Sequence, residues 1–475
     1  MRRVVIIGGG ISGLAAAYRL IELDPSLHLT LIEASGRVGG TLLTDEREGF
    51  LLERGPDSFI TEKPEAVALA KRLGVESRLI ETNANHRRSF IVRNGRLRPV
   101  PEGFQLLAPS RIWPFLTTDI FSFMGKVRMA GDLVLPRRST NGSSDESLSS
   151  FVRRRLGREA LERMAQPMVG GIYTADPETL SLRATLPRFL DLEKEHRSLI
   201  IAMVRRARAQ SGTSGARYGL FLTFDRGMEA LVHALKQKIG RCEVKLNTRV
   251  VAIERERGWK LKTDQGDTIE ADAICLAVPA YVAAQLLSGI NPALAAQLKQ
   301  IKYASTATIN LAYRRDAIGH PLDGFGFVVP FIEKRSVIAC SFSSVKFPGR
   351  APNDHVLLRA FVGGALQPEM FALDEPEMLA RVERDLRELL NIGSKPLFAE
   401  VYKWQNSMPQ YEVGHLDRVA AIENAVRELP GLTLAGNAYL GAGIPDCIRS
   451  GETAAEYLSH KKAQKAQEAQ GIQKS

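Results

Sequence analysis

Three glycines near the N-terminus constrain the fold of this chain more than any other feature. Gly8, Gly10 and Gly13 lie between an apolar segment, residues 3–7, and a segment rich in Ala and Leu, residues 12–23. The first segment predicts a buried strand and the second a helix. The pattern G-x-G-x-x-G at such a junction is typical of a dinucleotide-binding βαβ unit, in which the pyrophosphate meets the helix N-terminus.

Glu33 ends a second predicted strand, residues 28–32, and lies 20 residues beyond Gly13. A carboxylate at that point accepts hydrogen bonds from ribose hydroxyl groups and repels a 2′-phosphate. Because Gly-rich turns are common, the prediction of a dinucleotide site depends on both strands, the helix and Glu33 together.

The segment 36–40 indicates that the dinucleotide is FAD and not NAD. It reads Gly-Arg-Val-Gly-Gly and resembles the signature of the amine oxidase and desaturase flavoprotein superfamily. Arg37 offers a charge to the phosphates, and Gly39 and Gly40 let the backbone pass close to the cofactor. Residues 55–58, Gly-Pro-Asp-Ser, lie where that superfamily brings a loop towards the flavin. Taken alone, they are an ordinary turn.

A second Gly-rich turn, residues 436–445, precedes a helix predicted at about 446–458. The dipole of such a helix favours negative charge at its N-terminus, including that on the pyrimidine side of a reduced flavin. A plain helix start capped by Asp446 explains the same residues, and both explanations can hold.

Nucleotide-domain features occur at the start, middle and end of the 475-residue chain, which is too long for one ordinary domain. Further short strands are predicted at 243–251, 259–263, 268–271, 273–277 and 433–435. The sequence predicts an α/β fold with α+β insertions and a discontinuous Rossmann-like domain. The boundaries are 1–85, 220–295 and 400–460 for that domain, 90–215 for a mainly helical domain, 296–399 for a substrate domain and 461–475 for a disordered tail.

Charge and cysteine content narrow the partners only partly. The formal charge of +11 favours nucleic acid, anionic lipid or a polycarboxylate substrate. No run of Lys or Arg is long, so a basic surface without such a partner is equally consistent. The four cysteines have no metal-ligand or disulfide spacing, which predicts no metal site and fits a reducing cytoplasm. No apolar run approaches the ~20 residues of a membrane span, so any membrane contact is predicted to be peripheral.

Motifs later in the chain are more specific than the glycines. They occupy residues 55–59, 171–173, 195–198, 409–415 and 436–448. In these motifs and their order, the chain resembles the oxygen-dependent protoporphyrinogen oxidase family, from about residue 3 to residue 458. The resemblance implies an FAD domain of the p-hydroxybenzoate-hydroxylase type, a substrate domain and a helical membrane-binding domain.

The resemblance also implies which residues contact FAD. Val250 would end the strand that covers the adenine, and Trp404 would lie near the isoalloxazine. From composition alone, Val250 is equally a strand-core residue and Trp404 a packing residue. The implied contacts are Gly8, Gly9, Gly10, Ile11, Ser12, Gly13, Glu33, Ala34, Arg37, Gly40, Gly55, Pro56, Asp57, Ser58, Val250, Trp404, Ala442, Gly443 and Ile444.

By this resemblance the substrate is a porphyrinogen of haem biosynthesis, oxidised in three two-electron steps while oxygen becomes hydrogen peroxide. Hydride removal requires the flavin close to a carbon bridge in a dry cavity, and it demands no acid or base from the chain. Gly326, Val328 and Phe361 match positions that clamp the tetrapyrrole. Strand core explains Phe361 at least equally well.

One position departs from the family pattern. In many members an Arg at this position pairs with a substrate propionate. This chain has Ser89 there, preceded by Arg87 and Arg88. Arg88 is the substitute we predict, although adjacent strand residues point to opposite faces. Relatives that oxidise coproporphyrinogen III often lack that Arg. Residues 170–200 are more similar to the protoporphyrinogen-specific group, so protoporphyrinogen IX is the preferred substrate and coproporphyrinogen III the alternative.

Two other classes of function share this fold. One is an oxidase or desaturase acting on an amine or a carotenoid, against which the motifs near Glu195 and Asp446 argue. The other is a non-catalytic binding protein similar to the Rab GDP dissociation inhibitors. Arg37 and the segment 441–446 favour a bound cofactor instead.

An apolar cluster between residues 115 and 123 bears on localisation. Its members are Phe115, Leu116, Ile120, Phe121 and Phe123. The cluster could dock on lipid or form the core of a helical domain, which is the commoner fate of such residues. The expected location is the cytoplasm, including the inner face of the cell membrane, with no nucleic-acid partner. The resemblance also admits a homodimer and a hand-over of product to a ferrochelatase.

Overall fold

The computed structural model describes residues 2–137, 145–209 and 221–472. A five-stranded parallel sheet forms one centre of the fold. Its strands, in spatial order, are Glu243–Lys245, His28–Ile32, Arg3–Ile7, Ala273–Leu276 and Leu432–Leu434. Both faces of the sheet are covered, which explains why strand Arg3–Ile7 is apolar after its first residue instead of alternating.

Seven helices and a three-stranded antiparallel sheet cover the parallel sheet. The helices Ile11–Leu23, Glu65–Leu73, Glu229–Lys238 and Ile444–Ile472 pack on one face. On the other face lie the helices Ala280–Leu287, Pro292–Lys299 and His415–Arg427 and the strands Val250–Arg255, Trp259–Thr263 and Thr268–Ala271. We call this unit the parallel-sheet domain. Its first strand, first helix and second strand confirm the predicted βαβ unit.

The strand predicted at 243–251 is wrong as a single element. Glu243–Lys245 belongs to the parallel sheet, whereas Val250–Arg255 begins the antiparallel one. Between them Asn247 has a φ of +50°, a conformation that Asn tolerates better than most residues and that turns the chain.

A seven-stranded sheet forms the second centre. Its spatial order is Phe398–Pro409, Tyr303–Arg314, His355–Gly363, Ala339–Phe342, Gly326–Val328, Phe90–Arg93 and Arg96–Pro99. The helix Glu375–Leu390 packs on one face, and the short helices Ser343–Lys346 and Pro368–Ala372 complete this seven-stranded domain. The predicted domain boundaries are corrected here, because 90–99 and 398–409 pair with this sheet through contacts distant in sequence.

The remaining insertion is helical. Its helices are Ile112–Thr117, Phe123–Ala130, Leu148–Arg155, Arg158–Ala160, the π-helix Leu161–Ala165, Gln166–Tyr173, Leu182–Thr185, Pro187–His196 and Leu199–Ala209. They share an apolar core that includes Phe151 and Phe189. Within it Arg155 and Asp132 form a fully buried ion pair. Asp132 also accepts hydrogen bonds from the Ser198 hydroxyl at 2.6 Å and the Ile200 amide at 3.0 Å. We call this unit the helical domain.

The last helix runs to Ile472, beyond the predicted end at residue 458, and takes in most of the segment predicted as a disordered tail. Ala, Lys, Gln and Glu, which dominate that segment, are strong helix formers. Smaller strands pair as Thr44–Arg47 with Phe50–Glu53, Phe104–Gln105 with Ala108–Pro109, and Phe221–Phe224 with Phe59–Ile60 and Leu79–Glu81. Short 3₁₀ helices occupy Glu76–Arg78, Ala84–His86, Gly131–Leu133, Arg315–Ala317 and Phe331–Glu333.

Candidate functional site

The turn after the first strand has no room for side chains at two of its glycines. Gly8 has a φ of +106°, and a Cβ atom there would lie 2.3 Å from the carbonyl oxygen of Ala277. A Cβ at Gly13 would lie 1.9 Å from the carbonyl oxygen of Gly8. A Cβ at Gly10, in contrast, would meet no atom within 4 Å. The turn is therefore closely packed on one side and open at Gly10, where a ligand's phosphates can approach.

Glu33 lies beside this turn. Its Oε2 accepts a hydrogen bond from the amide of Gly9 at 2.7 Å, and its Oε1 accepts from the amide and the hydroxyl of Ser35 at 2.8 Å each. The half-buried carboxylate thus joins the end of the second strand to the glycines. The residues predicted for the ribose and for the pyrophosphate are brought together.

Arg37 shapes the loop that follows. Its guanidinium donates to the carbonyl oxygens of Val38 at 3.0 Å, Gly40 at 2.5 Å and Leu42 at 3.2 Å, and pairs with Glu229 at 3.6 Å. These bonds hold the loop in a conformation that places it on the first turn. The amide of Gly39 donates to the carbonyl of Gly9 at 2.7 Å, and a Cβ at Gly40 would lie 3.2 Å from the Cα of Gly10.

The second Gly-rich turn is built around a buried carboxylate. Asp446 is 5% exposed, and Lys63 donates to its two oxygens at 2.7 and 2.6 Å. Arg449 forms a second ion pair with it. A Cβ at Gly441 would lie 2.3 Å from the Asp446 carboxyl carbon, so the turn packs directly on this group. Lys63 and Arg449 were not predicted from the sequence. Both pair with Asp446, and a helix cap alone explains an Asp at that position.

Three amide groups of this turn have no hydrogen-bond acceptor among the described residues. They belong to Ala442, Gly443 and Ile444, at the N-terminus of the last helix. That helix packs in backbone contact with the first one, since a Cβ at Gly451 would lie 2.1 Å from the carbonyl oxygen of Ser12. The free amides and the helix dipole favour an anionic or carbonyl group of a ligand.

The loop 53–58 leads from the strand Phe50–Glu53, which packs on the seven-stranded sheet, to Phe59 in the core of the parallel-sheet domain. Four side chains of the seven-stranded sheet donate hydrogen bonds to three successive backbone carbonyls of this loop. They are the Asn310 amide to Glu53 at 3.1 Å, the Thr308 hydroxyl to Arg54 at 2.7 Å, the Trp404 indole to Arg54 at 2.9 Å and the Arg359 guanidinium to Gly55. We call these four side chains the interdomain clamp. They attach the predicted flavin-facing loop to the predicted substrate sheet.

Asp57, within the same loop, is surrounded by cations. Lys346 donates to both its carboxylate oxygens at 3.0 Å, and Arg359 lies 3.8 Å away. The hydroxyl of Ser58 donates to Asp57 at 2.6 Å. Burial opposes ionisation, but the two cations hold the pKa of Asp57 well below its usual range. Asp57 is therefore an anion held by Lys346 and Arg359.

These cations and a buried acid were not predicted from the sequence. Arg359 had one usable signal, a charged residue inside the apolar strand His355–Gly363, because buried Arg is rare unless paired. Lys346 carries no such signal. Glu53 is 4% exposed and accepts from the Met228 amide at 2.8 Å and the Thr44 hydroxyl at 2.9 Å. Burial raises the pKa of Glu53 to about 7.

Val250 packs in the core beneath the nucleotide strands, in one cluster with Ile7 and Ile32. These two residues end the strands that flank the glycine turn and Glu33. Val250 is thus a core residue. Its contact with the nucleotide stays a prediction.

Gly326, Val328 and Phe361 share one face of the seven-stranded sheet with the clamp. Val328 and Phe361 both lie opposite Ala339, and Phe361 lies opposite Thr308, so their side chains point the same way. Gly326 has a φ of +142°, and a Cβ there would lie 2.1 Å from the carbonyl oxygen of Cys340. The structure brings the three predicted substrate positions together, on the face that meets the loop 53–58.

Arg88 lies elsewhere. It forms an ion pair with Asp323 at 3.1 Å and is about half exposed. Phe90, the first residue of the following strand, packs with Phe327 in the core on the opposite face from Phe361. The position of Arg88 therefore does not support the predicted contact with a propionate.

Known proteins of similar sequence include flavin-containing and porphyrinogen-oxidising enzymes. The family model described as "Flavin containing amine oxidoreductase" matches residues 11–459. A "Coproporphyrinogen III oxidase" of Bacillus subtilis (strain 168) is 36% identical over 461 residues, covering 95% of this chain and 97% of that protein. The chloroplastic "Protoporphyrinogen oxidase" of Nicotiana tabacum is 32% identical over 468 residues, covering 94% of this chain and 83% of that protein.

One solved structure is also similar over almost its whole length. It is the crystal structure of the "Putative protoporphyrinogen oxidase" from Exiguobacterium sp. 255-15, with a TM-score of 0.87 and 33% sequence identity. The similarity covers 97% of this chain and 99% of that one. The glycine turn open at Gly10, the carboxylate at Glu33 and the amides of 442–444, which have no acceptor among the described residues, fit FAD, the cofactor of such flavoproteins.

Proposed function

This chain belongs to the family of flavin-containing amine oxidoreductases, and within it we propose an FAD-dependent, oxygen-consuming porphyrinogen oxidase with coproporphyrinogen III as substrate. The observation that carries the proposal is that Val328 and Phe361 share a face with the interdomain clamp, so two apolar side chains lie on the face that holds the predicted flavin-facing loop. Three relatives named coproporphyrinogen III oxidase support this substrate. They are 36%, 36% and 33% identical to this chain. Protoporphyrinogen IX, preferred in the sequence analysis, is the second candidate and has support from the chloroplastic relatives at about the same coverage.

The residues of the chain bind and orient the reactants in this proposal. FAD, when bound, accepts hydride from the substrate and passes the electrons to oxygen. Glu33 would hold the ribose hydroxyls, the first turn would hold the pyrophosphate, and the amides of residues 442–444 would donate to the pyrimidine part of the flavin. We propose that the parallel-sheet domain is an FAD domain of the p-hydroxybenzoate-hydroxylase type. Val328 and Phe361 pack on the tetrapyrrole and exclude water from the reacting carbon.

The test uses the FAD-loaded protein and both porphyrinogens. We expect porphyrin fluorescence to rise with each substrate and the initial rate to be higher with coproporphyrinogen III. A higher rate with protoporphyrinogen IX would reverse the substrate assignment. No fluorescence from either substrate, with a protein that carries FAD, would contradict the proposed activity altogether.

We also propose that the helical domain binds an anionic lipid surface. The predicted cluster divides in the structure: Phe115, Ile120 and Phe121 are core residues, whereas Leu116 and Phe123 are exposed. Further apolar side chains extend the exposed part into what we call the apolar surface. It comprises Ile112, Trp113, Leu116, Phe123, Met124, Val127, Leu133 and Val134, of which Trp113, Phe123, Met124 and Val134 are 70% exposed or more.

The charges around this surface support lipid as its partner. Arg111, Lys126 and Arg128 lie within the same segment, and Arg197 donates to the carbonyl of Leu133 at 3.0 Å. Apolar side chains with a cationic rim are typical of interfacial membrane contacts. No helix in the described parts of the chain is long and apolar enough to cross a bilayer.

Sedimentation with lipid vesicles tests this second proposal. We expect the protein to sediment with vesicles containing phosphatidylglycerol and to stay in solution with phosphatidylcholine alone. The variant Phe123→Ser/Met124→Ser should lose binding, whereas Leu397→Ser, which changes a half-exposed residue of the seven-stranded domain, should retain it. Equal sedimentation of both variants would contradict the assignment of this surface.

A further inference from the structure

The motif 409–415 contains none of the predicted FAD or substrate contacts, yet it contacts the second Gly-rich turn. The hydroxyl of Tyr411 donates to the carbonyl oxygen of Asn437 and accepts from the amide of Gly441 at 3.1 Å. Tyr411 is 2% exposed, so water does not compete for these groups. A single hydroxyl therefore joins the two ends of the segment 437–441.

His415 supports Tyr411 from behind. The two rings are stacked with their centroids 4.2 Å apart and an interplanar angle of 17°. The His415 Nε2 lies 2.8 Å from the carbonyl oxygen of Tyr439. Since a carbonyl only accepts, Nε2 carries the proton, and burial lowers the pKa of His415, which keeps the ring neutral. Tyr411 and His415 together hold the turn at residues 437, 439 and 441.

The turn needs such support because of its glycines. Gly436 and Gly441 have φ values of +134° and +143°, which glycine adopts without strain and leaves equally easily. The amides of Ala442, Gly443 and Ile444, which have no acceptor in the described parts of the chain, follow directly. The direction in which they point depends on the conformation at Gly441, and that residue is held by the Tyr411 hydroxyl.

We propose that Tyr411 is a positioning residue for the flavin, which fixes the second Gly-rich turn so that the amides of residues 442–444 face the cofactor. The proposal rests on the FAD site described above. Tyr411 packs in the core of the helical domain, and its carbonyl accepts from the Ser181 amide at 2.7 Å. The core of the helical domain is therefore connected to the proposed flavin site through this side chain.

The variant Tyr411→Phe tests the proposal, with Tyr439→Phe as matched control. Tyr439 lies in the same turn and is buried, but its hydroxyl has no hydrogen-bond partner among the described residues. We expect Tyr411→Phe to raise the dissociation constant of FAD about tenfold, because one carbonyl and one amide lose their partner. The visible circular dichroism of the bound flavin should change, and kcat should fall without a rise in KM for the porphyrinogen. Tyr439→Phe should retain the wild-type affinity and spectrum.

The outcomes separate this proposal from the one it rests on. A wild-type protein that does not bind FAD contradicts the proposed function. If the wild type binds FAD, and Tyr411→Phe lowers only the thermal stability while its affinity and flavin spectrum match those of Tyr439→Phe, Tyr411 is merely structural and the proposal is wrong. Should Tyr411→Phe not fold, His415→Leu, which removes the stacked ring, is compared in its place by the same criteria.

Discussion

The indole nitrogen of Trp404 donates a hydrogen bond to the carbonyl oxygen of Arg54 over 2.9 Å, and the Thr308 hydroxyl donates to the same oxygen at 2.7 Å. One backbone carbonyl of the loop 53–58 is thus held by two neighbouring strands of the seven-stranded sheet. These two hydrogen bonds fix the position of the loop relative to that sheet. Gly55, the first residue of the predicted flavin-facing segment, comes next in the chain. Trp404 contributes to the site by holding the loop.

The variant Trp404→Phe should therefore weaken the attachment of the loop while keeping an aromatic ring in place. We expect the free energy of unfolding to fall by about 1 kcal/mol, the usual contribution of one such hydrogen bond. Urea denaturation of the FAD-loaded protein measures the change. Trp113→Phe is the matched control, since Trp113 is 75% exposed, and it should leave the denaturation midpoint unchanged. Equal midpoints for both variants would show that the bond contributes nothing.

Alanine substitutions at two glycines of the first turn should have different effects, one on stability and the other on FAD affinity. Gly13→Ala places a methyl group 1.9 Å from the carbonyl oxygen of Gly8, so the fold itself must shift and thermal stability should fall even without FAD. Gly10→Ala meets no atom of the chain, so the stability of the FAD-free protein should be retained while FAD affinity falls at least about tenfold. Gly289→Ala, also in open space but outside the site, is the control.

Titration with FAD and thermal denaturation without it separate these effects. Unchanged FAD affinity in Gly10→Ala would contradict the placement of the phosphates at this turn. Unchanged stability of FAD-free Gly13→Ala would show that the close contact with Gly8 is relieved at no cost.

The local parts of the fold were accessible from the sequence, because short-range patterns determine them. The strands at 3–7 and 28–32 are apolar runs, and both were predicted with their observed bounds. The glycine turn follows from residues adjacent in the chain. The end of strand Glu243–Lys245 was missed because one Asn with a positive φ, Asn247, changes the direction of an otherwise continuous β-like segment.

The contacts that join the domains were not accessible in this way. Lys346 pairs with Asp57 and Arg359 with Gly55, each across about three hundred residues of chain, and no local pattern marks either pairing. The strand 398–409 was assigned to the wrong domain for the same reason, since only its register with Tyr303–Arg314 shows where it belongs. The predicted FAD and substrate residues lie together because of these long-range contacts.

Glu53 makes stability depend on pH in a way that is unusual for an acid. Burial raises its pKa from an ordinary value of 4.5 to about 7 in the folded state, so folding is most favoured while Glu53 is protonated. Its contribution is fully present below pH 4.5 and is lost as the pH rises through 7. We expect the wild type to lose about 3 kcal/mol of stability relative to Glu53→Gln over this range.

Urea denaturation at several pH values between 4.5 and 7.5 measures this difference. Gln retains an acceptor for the Met228 amide, so Glu53→Gln should fold. The exposed residue Glu62 supplies the control variant Glu62→Gln, whose stability should follow the wild type at every pH. Parallel curves for the wild type and Glu53→Gln would contradict the raised pKa.

Arg88 decides whether the family's propionate contact has moved by one residue in this chain. The two side chains of its ion pair with Asp323, at 3.1 Å, are 56% and 35% exposed, and Phe90 points to the face opposite Phe361. Removal of an exposed ion pair costs little, so Arg88→Gln should change KM for coproporphyrinogen III by less than about twofold.

The alternative has a distinct signature. A buried, charged contact with a propionate contributes about 1.5 to 3 kcal/mol, so its loss would raise KM about tenfold or more. The variant Asp323→Asn would then lower KM, because it frees the guanidinium for the substrate. Initial rates with both variants distinguish the cases. Opposite shifts in KM would restore Arg88 as the propionate contact, whereas two small shifts would leave that role to a residue on the face of Val328 and Phe361.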